Sequence, residues 1–245
     1  MPDLNRKNGF TLVELAIVMT IIGLLITGIL RGQEMIQNAR TTSIIKQVEG
    51  YEAALHQFRD VYGGLPGDIS NASMRLPDCN AANFCLNGDG NSQIGIQHDA
   101  TQTADDVSGT QENIQFWKHM MLANLISGLQ SSANPANPIW GETFPTASIG
   151  GGFQVIEIVD TVDQTYGIFV RLQNPATGAL PANSPGVHAI SPIRAFAIDR
   201  KIDDGLANSG SVAGEFDTSN CENGATGVYL AENSLNCTML FKIDN

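Results

Sequence analysis

Residues 10–30 form one unbroken apolar run, FTLVELAIVMTIIGLLITGIL, in which Glu14 is the only charge. At about 1.5 Å per residue, a helix of this length spans roughly 30 Å, one bilayer core. Beyond Arg31 the pattern turns amphipathic without a break: Ile44, Val48, Tyr51, Leu55, Phe58 and Tyr62 recur at steps of four and three, the spacing of one helix face. No proline lies between Pro2 and Pro66, and Gly63-Gly64-Leu65-Pro66-Gly67 is a stop signal. The spacing predicts one helix over 10–62, roughly 80 Å long, apolar all round in its first part and striped in its second. The alternative is a membrane helix and a separate head helix joined by a bend at 31–34.

The remaining chain, 63–245, reads as an α+β head. Residues 70–110 are rich in Asn, Asp, Gly, Ser, Thr and Gln with little periodicity, which predicts a long loop. Ile114, Trp117, Met121, Leu125, Ile126 and Leu129 share one helical face, predicting a helix over 112–129. Strands are expected at 153–159 and 166–172, with 160–165 as their connection. Ser191-Pro192 marks a helix start and Gly205 a stop, so 192–203 reads as a short helix. Two closing strands are expected at 227–231 and 238–243, joined as a hairpin.

Composition narrows the function. The net charge is −12, and the 13 Lys and Arg residues are scattered, which argues against a nucleic-acid partner. Cys79, Cys85, Cys221 and Cys237 match no zinc spacing. Of the three ways to pair four cysteines, Cys79 with Cys85 and Cys221 with Cys237 is expected, because each pair is close in sequence. That pairing requires the head to leave the cytoplasm; four reduced thiols are the alternative. The apolar run lacks the small-residue cleavage site of a secretory signal, so it reads as a membrane segment. A carboxylate in lipid costs on the order of 2 to 3 kcal/mol, so Glu14 calls for a cation. A free amine at Phe10, four residues upstream and on the same helix face, would supply one within the chain or from a neighbouring copy.

Arg6-Lys7-Asn8-Gly9 followed by Phe10-Thr11-Leu12-Val13-Glu14-Leu15 resembles the prepilin signal of type IV pilins and type II secretion pseudopilins. The resemblance implies a leader, 1–9, cut off by a prepilin peptidase between Gly9 and Phe10, with N-methylation of the new terminal Phe10. It implies that Glu14 neutralises a neighbouring subunit's N-terminus during assembly. The implied fold is pilin-like: a long N-terminal helix, transmembrane over 10–30 and amphipathic over 31–62, packed on an antiparallel sheet head. The implied partners are the membrane, the peptidase and other pilin or pseudopilin subunits. The implied location is the bacterial inner membrane, with the head outside the cytoplasm, and then the fibre. Further stretches, Phe58-Arg59-Asp60 through Leu65-Pro66-Gly67-Asp68, Asn87-Gly88-Asp89-Gly90, Phe116-Trp117-Lys118-His119 and Ile198-Asp199-Arg200-Lys201-Ile202-Asp203-Asp204-Gly205, are similar to a minor-pilin-like group. Many major subunits carry Pro where this chain has Arg31, which with the chain's length favours a minor subunit.

Two acidic stretches raise the question of a metal. Asn87, Asp89 and Asn91 alternate oxygen-bearing side chains as the first half of a calcium loop does, but His98 replaces the closing Glu; an ordinary Asn-Gly turn is the competing reading. Asp199, Asp203 and Asp204 read as surface charge at a helix end. Ser43 and Lys46 have the S-x-x-K spacing without the other motifs of acyl enzymes, and His56, His98, His119 and His188 share no metal spacing. Nothing here supports an enzyme. The expectation is a structural pilus or pseudopilus subunit, with an uncleaved, membrane-anchored binding protein as its rival.

Overall fold

The computed structural model describes residues 11–94, 112–136, 139–159, 166–174, 188–214, 221–223 and 226–244. The chain divides into two compact units, Met1–Arg40 and Thr41–Asn245, and one helix, α1 (Leu12–Tyr62), runs through the boundary. Helix assignment continues without a break through 31–34, a stretch without proline.

In the first unit, α1 presents its apolar side chains outward; Leu12, Met19 and Leu24 are more than two-thirds exposed. Its two hydroxyls turn back on the helix: Thr20 Oγ1 donates to the Ile17 carbonyl and Thr27 Oγ1 to that of Gly23, both at 2.8 Å. Neither hydroxyl therefore leaves its hydrogen bond unmade on this apolar surface.

In the second unit, α1 buries Thr41, Ile44, Val48, Ala54, Leu55 and Phe58. The head sheet has the order β1-β2-β6-β3. Its strands are β1 (Gly152–Val159), β2 (Tyr166–Gln173), β3 (Val212–Gly214) and β6 (Met239–Asp244), all paired antiparallel. Alternation along β1 sends Phe153 and Val155 into the main core and Ile156 and Ile158 to the opposite face, where Phe169, Ala213 and Leu240 join them. Tyr51 of α1 locks the layers. Its ring meets Trp117 of helix α3 (Glu112–Leu122) edge-on at 4.8 Å and Phe153 of β1 at 5.4 Å, the arrangement that aromatic quadrupoles favour. Helix α4 (Pro192–Ile202) packs beside β3 and a two-stranded ribbon, β4 (Glu222–Asn223) with β5 (Val228–Tyr229). Ser191 precedes α4 in extended conformation without a side-chain cap bond; Pro192 at the helix start supplies the signal.

Three expectations are corrected. The helix expected over 112–129 ends at Leu122, where Asn124 adopts a left-handed φ of 59°. The Asn124 amide donates to the Met121 carbonyl and that of Leu125 to Met120, closing the C-terminus as a Schellman motif. Leu125, Ile126 and Leu129 still pack against the core, which is why their periodicity mimicked more helix. The loop expected at 70–110 contains helix α2 (Ala72–Arg75) and a 3-10 turn, Ala81–Asn83, capped by the Asn80 side chain; residues 95–111 lie outside the described residues. The last two strands do not form a hairpin: β5 pairs with β4, and β6 sits between β2 and β3. The connection at 160–165 lies outside the described residues.

Both local disulfides are present. Cys79–Cys85 sits in a small core with Phe58, Ile69, Ala72 and Leu76. Cys221–Cys237 joins the ribbon to the segment entering β6, where Cys237 also bridges to Ile190 beside α4.

Candidate functional site

The first site is the start of α1. Thr11 immediately precedes the helix, and Glu14 stands in its first turn. Glu14 Oε2 accepts from the Thr11 amide at 2.9 Å and from its hydroxyl at 2.8 Å, while the Glu14 amide donates to Thr11 Oγ1 at 3.3 Å. This is a reciprocal capping box, the Thr-x-x-Glu pattern that satisfies amides a helix start leaves without partners. Its signal in the sequence is the Thr11-x-x-Glu14 spacing at the start of the apolar run. Gly9 and Phe10 lie outside the described residues.

The second site is a junction in the head organised by α3. His119 is fully buried. Its Nδ1 accepts from the Gly67 amide and its Nε2 faces the Leu86 carbonyl, both at 2.8 Å. An amide donor on one nitrogen and a carbonyl acceptor on the other fix the neutral tautomer protonated at Nε2. Burial holds the imidazole's pKa down at about 4, partly offset by the Leu86 bond. One turn earlier, Gln115 accepts from the Leu86 amide and donates to the Phe84 carbonyl, each at 3.2 Å. Lys118, also buried, donates to the Ser131 and Ala133 carbonyls at 2.8 and 2.7 Å, and desolvation lowers its pKa to about 8. Together these α3 side chains fasten the 65–68 turn, the 84–86 segment and the 131–133 loop.

The 65–68 turn, the loop that follows the 84–86 segment and the start of α3 bring carboxylates together. One oxygen each from Asp68, Asp89 and Glu112 lie within 4.8 Å of one another. Asn87 and Asn91, the other residues of the expected calcium stretch, brace the loop. Asn87 Oδ1 accepts from the Ser73 amide at 2.8 Å, Asn91 Oδ1 from that of Gln93 at 2.7 Å, and Asn91 Nδ2 donates to Asp89 at 3.0 Å. Asp68 and Glu112 escaped the sequence reading because each is distant from Asp89 along the chain. Cys79, Cys85 and His119 also lie close together, but the sulfurs are bonded to each other and both imidazole nitrogens are engaged.

A second acidic group, Asp199, Asp203 and Asp204, corrects the surface-charge reading in part: Asp199 is fully buried. Its oxygens accept from the Gly205 amide at 3.1 Å and the Tyr229 hydroxyl at 2.8 Å. Burial raises its pKa to about 6 against those two bonds, with smaller contributions from Asp204 and Asp203. Asp203 accepts from Ser211 and the Val212 amide, and Asp204 from the Leu206 amide and Ser209. Each carboxylate of this group is spent on fixing the 203–212 turn.

Comparison with known proteins bears on the first site. Residues 4–30 match the model of the prokaryotic N-terminal methylation motif. No curated protein matches the chain. Among solved structures, the chain is similar to the major type IV pilin from Clostridium difficile at 10% identity with a TM-score of 0.36, over 86% of this chain and 98% of that one. The prokaryotic N-terminal methylation motif thus coincides with the apolar start of α1, and an antiparallel-sheet head follows that helix along the chain.

Proposed function

We propose that the chain is a structural subunit of a type IV pilus or a type II secretion pseudopilus, made as a single-pass inner-membrane precursor with its head outside the cytoplasm. In this reading a prepilin peptidase removes residues 1–9 by cutting between Gly9 and Phe10, and Phe10 is N-methylated. Residues 10–30 then hold the subunit in the membrane until their apolar surface is transferred to the fibre, where it packs against the helices of other subunits.

The observation that carries this reading is the coincidence of the methylation motif with the exposed apolar start of α1, whose one charge in 10–30 is Glu14. The Thr11 bonds satisfy lone pairs of Glu14 but leave its charge uncancelled. An uncompensated buried charge is costly, so a helix bundle accepts this subunit best where the amine of a neighbour's Phe10 meets Glu14. That pairing sets axial register. Replacing Glu14 by Val tests it: the variant is expected in the membrane fraction at the wild-type level and absent from sheared fibres, and its full incorporation would contradict the pairing.

A further inference from the structure

We propose that Asp68, Asp89 and Glu112 bind a calcium ion that ties the 65–68 turn and the 87–92 loop to the first turn of α3. The carboxylate oxygens of these residues lie within 4.8 Å of one another, the largest separation of two oxygens each about 2.4 Å from one shared ion. Asp68 is only 3% exposed. Its Oδ2 accepts from the Ser92 amide at 3.1 Å, while its Oδ1 is buried with no hydrogen-bond partner among the described residues. A buried carboxylate oxygen without a partner is costly, and two further carboxylates beside it add repulsion. A cation among them removes both costs. Asp89 and Glu112 also accept from Asn91 and from the Asp89 amide; this cluster is chosen over the Asp199 group because Asp68 keeps a buried oxygen without a partner among the described residues, whereas both oxygens of buried Asp199 are engaged.

The backbone is shaped to bring the three pieces together. A Cβ on Gly67, where φ is 94°, would lie 2.2 Å from the Glu112 carbonyl oxygen, and one on Gly88 2.2 Å from that of Asp68; glycine at both positions permits the approach. The Gly90 amide donates to the Asp68 carbonyl at 2.9 Å and the Asp89 amide to Glu112 Oε1 at 3.0 Å.

The donors select the metal. All three are hard carboxylate oxygens carried on two loops and a helix end, suited to the irregular shell of roughly six to eight oxygens that calcium takes, whereas magnesium demands a near-ideal octahedron. The nearby nitrogen and sulfur atoms that zinc prefers are engaged in the His119 hydrogen bonds and the Cys79–Cys85 disulfide.

The test is calorimetric titration of calcium chloride into the full-length chain in detergent micelles after chelator treatment, with thermal melts alongside. The expected result is one calcium per chain and a raised Tm, with affinity reduced about tenfold or more in Asp68→Asn and in Asp89→Asn and unchanged in Asp204→Asn. Asp89 is exposed, so its variant decides the matter if Asp68→Asn does not fold. Absence of both heat and Tm shift, or wild-type affinity in Asp89→Asn, would overturn the site; magnesium binding as tightly as calcium would overturn the choice of metal.

Discussion

Thr11 and Glu14 hold one another across the first turn of α1, the carboxylate taking the Thr11 amide and hydroxyl while Thr11 Oγ1 takes the Glu14 amide. Glu14 thus caps a helix and carries a charge, and the two roles separate by mutation. Gln at 14 retains a capping box but removes the charge; Ala at 11 removes the hydroxyl cap, at about 1 kcal/mol, and keeps the charge. Fibre fractions probed by immunoblot are expected to lack Glu14→Gln and to contain Thr11→Ala near the wild-type amount. Normal assembly of Glu14→Gln would assign Glu14 to capping alone.

His119 makes the head acid-sensitive. Its pKa is about 4 when folded and about 6.5 when unfolded. Above the unfolded value both states are neutral and the contribution to stability is complete. As pH falls from 6.5 toward 4 the unfolded chain takes up a proton that the native imidazole refuses, and stability on the order of 3 kcal/mol is lost. Asp199 acts oppositely between its unfolded value of 3.8 and its folded value of about 6, because there the native state holds the proton. Comparing the chain with His119→Gln cancels the Asp199 contribution. In urea unfolding followed by the fluorescence of Trp117 and Trp140, the stability difference between the two proteins is expected to narrow as pH falls through this window. A difference independent of pH would contradict the assignment.

The disulfides differ in what they constrain. Cys221 and Cys237 are separated by 16 residues, Cys79 and Cys85 by 6. Loop-closure entropy gives about 3 and about 2 kcal/mol respectively. Replacing each pair by Ala should lower the urea midpoint of the full chain in detergent, with the larger loss for the 221/237 pair; the reverse order would show that the small core around Cys79 and Cys85 outweighs chain entropy.

Legibility followed the range of the interactions. The α1 stripe, the strands at 153–159 and 166–172, the helix beginning at Pro192 and both local disulfides were readable because each rests on periodicity or on residues near in sequence. The end of α3 was misjudged because Leu125, Ile126 and Leu129 bury themselves after Asn124 has turned the chain, leaving burial with a helical period but no helix. The place of β6 between β2 and β3 is a long-range pairing, and no local signal distinguishes it from a hairpin with β5. The same holds for the acidic junction: Asp89 stood out in its stretch, but Asp68 and Glu112 reach it only because His119 and Gln115 anchor two loops to α3.

The central claim, that the first nine residues are a leader and the chain assembles from Phe10, is tested most directly by mass spectrometry of the N-terminus of the protein recovered from the membrane and from sheared fibres. The expected N-terminal peptide begins at Phe10 and carries one added methyl group, and this species is the one found in the fibre. A chain that retains Met1 to Gly9 in both fractions would contradict the claim and leave residues 10–30 as a permanent anchor.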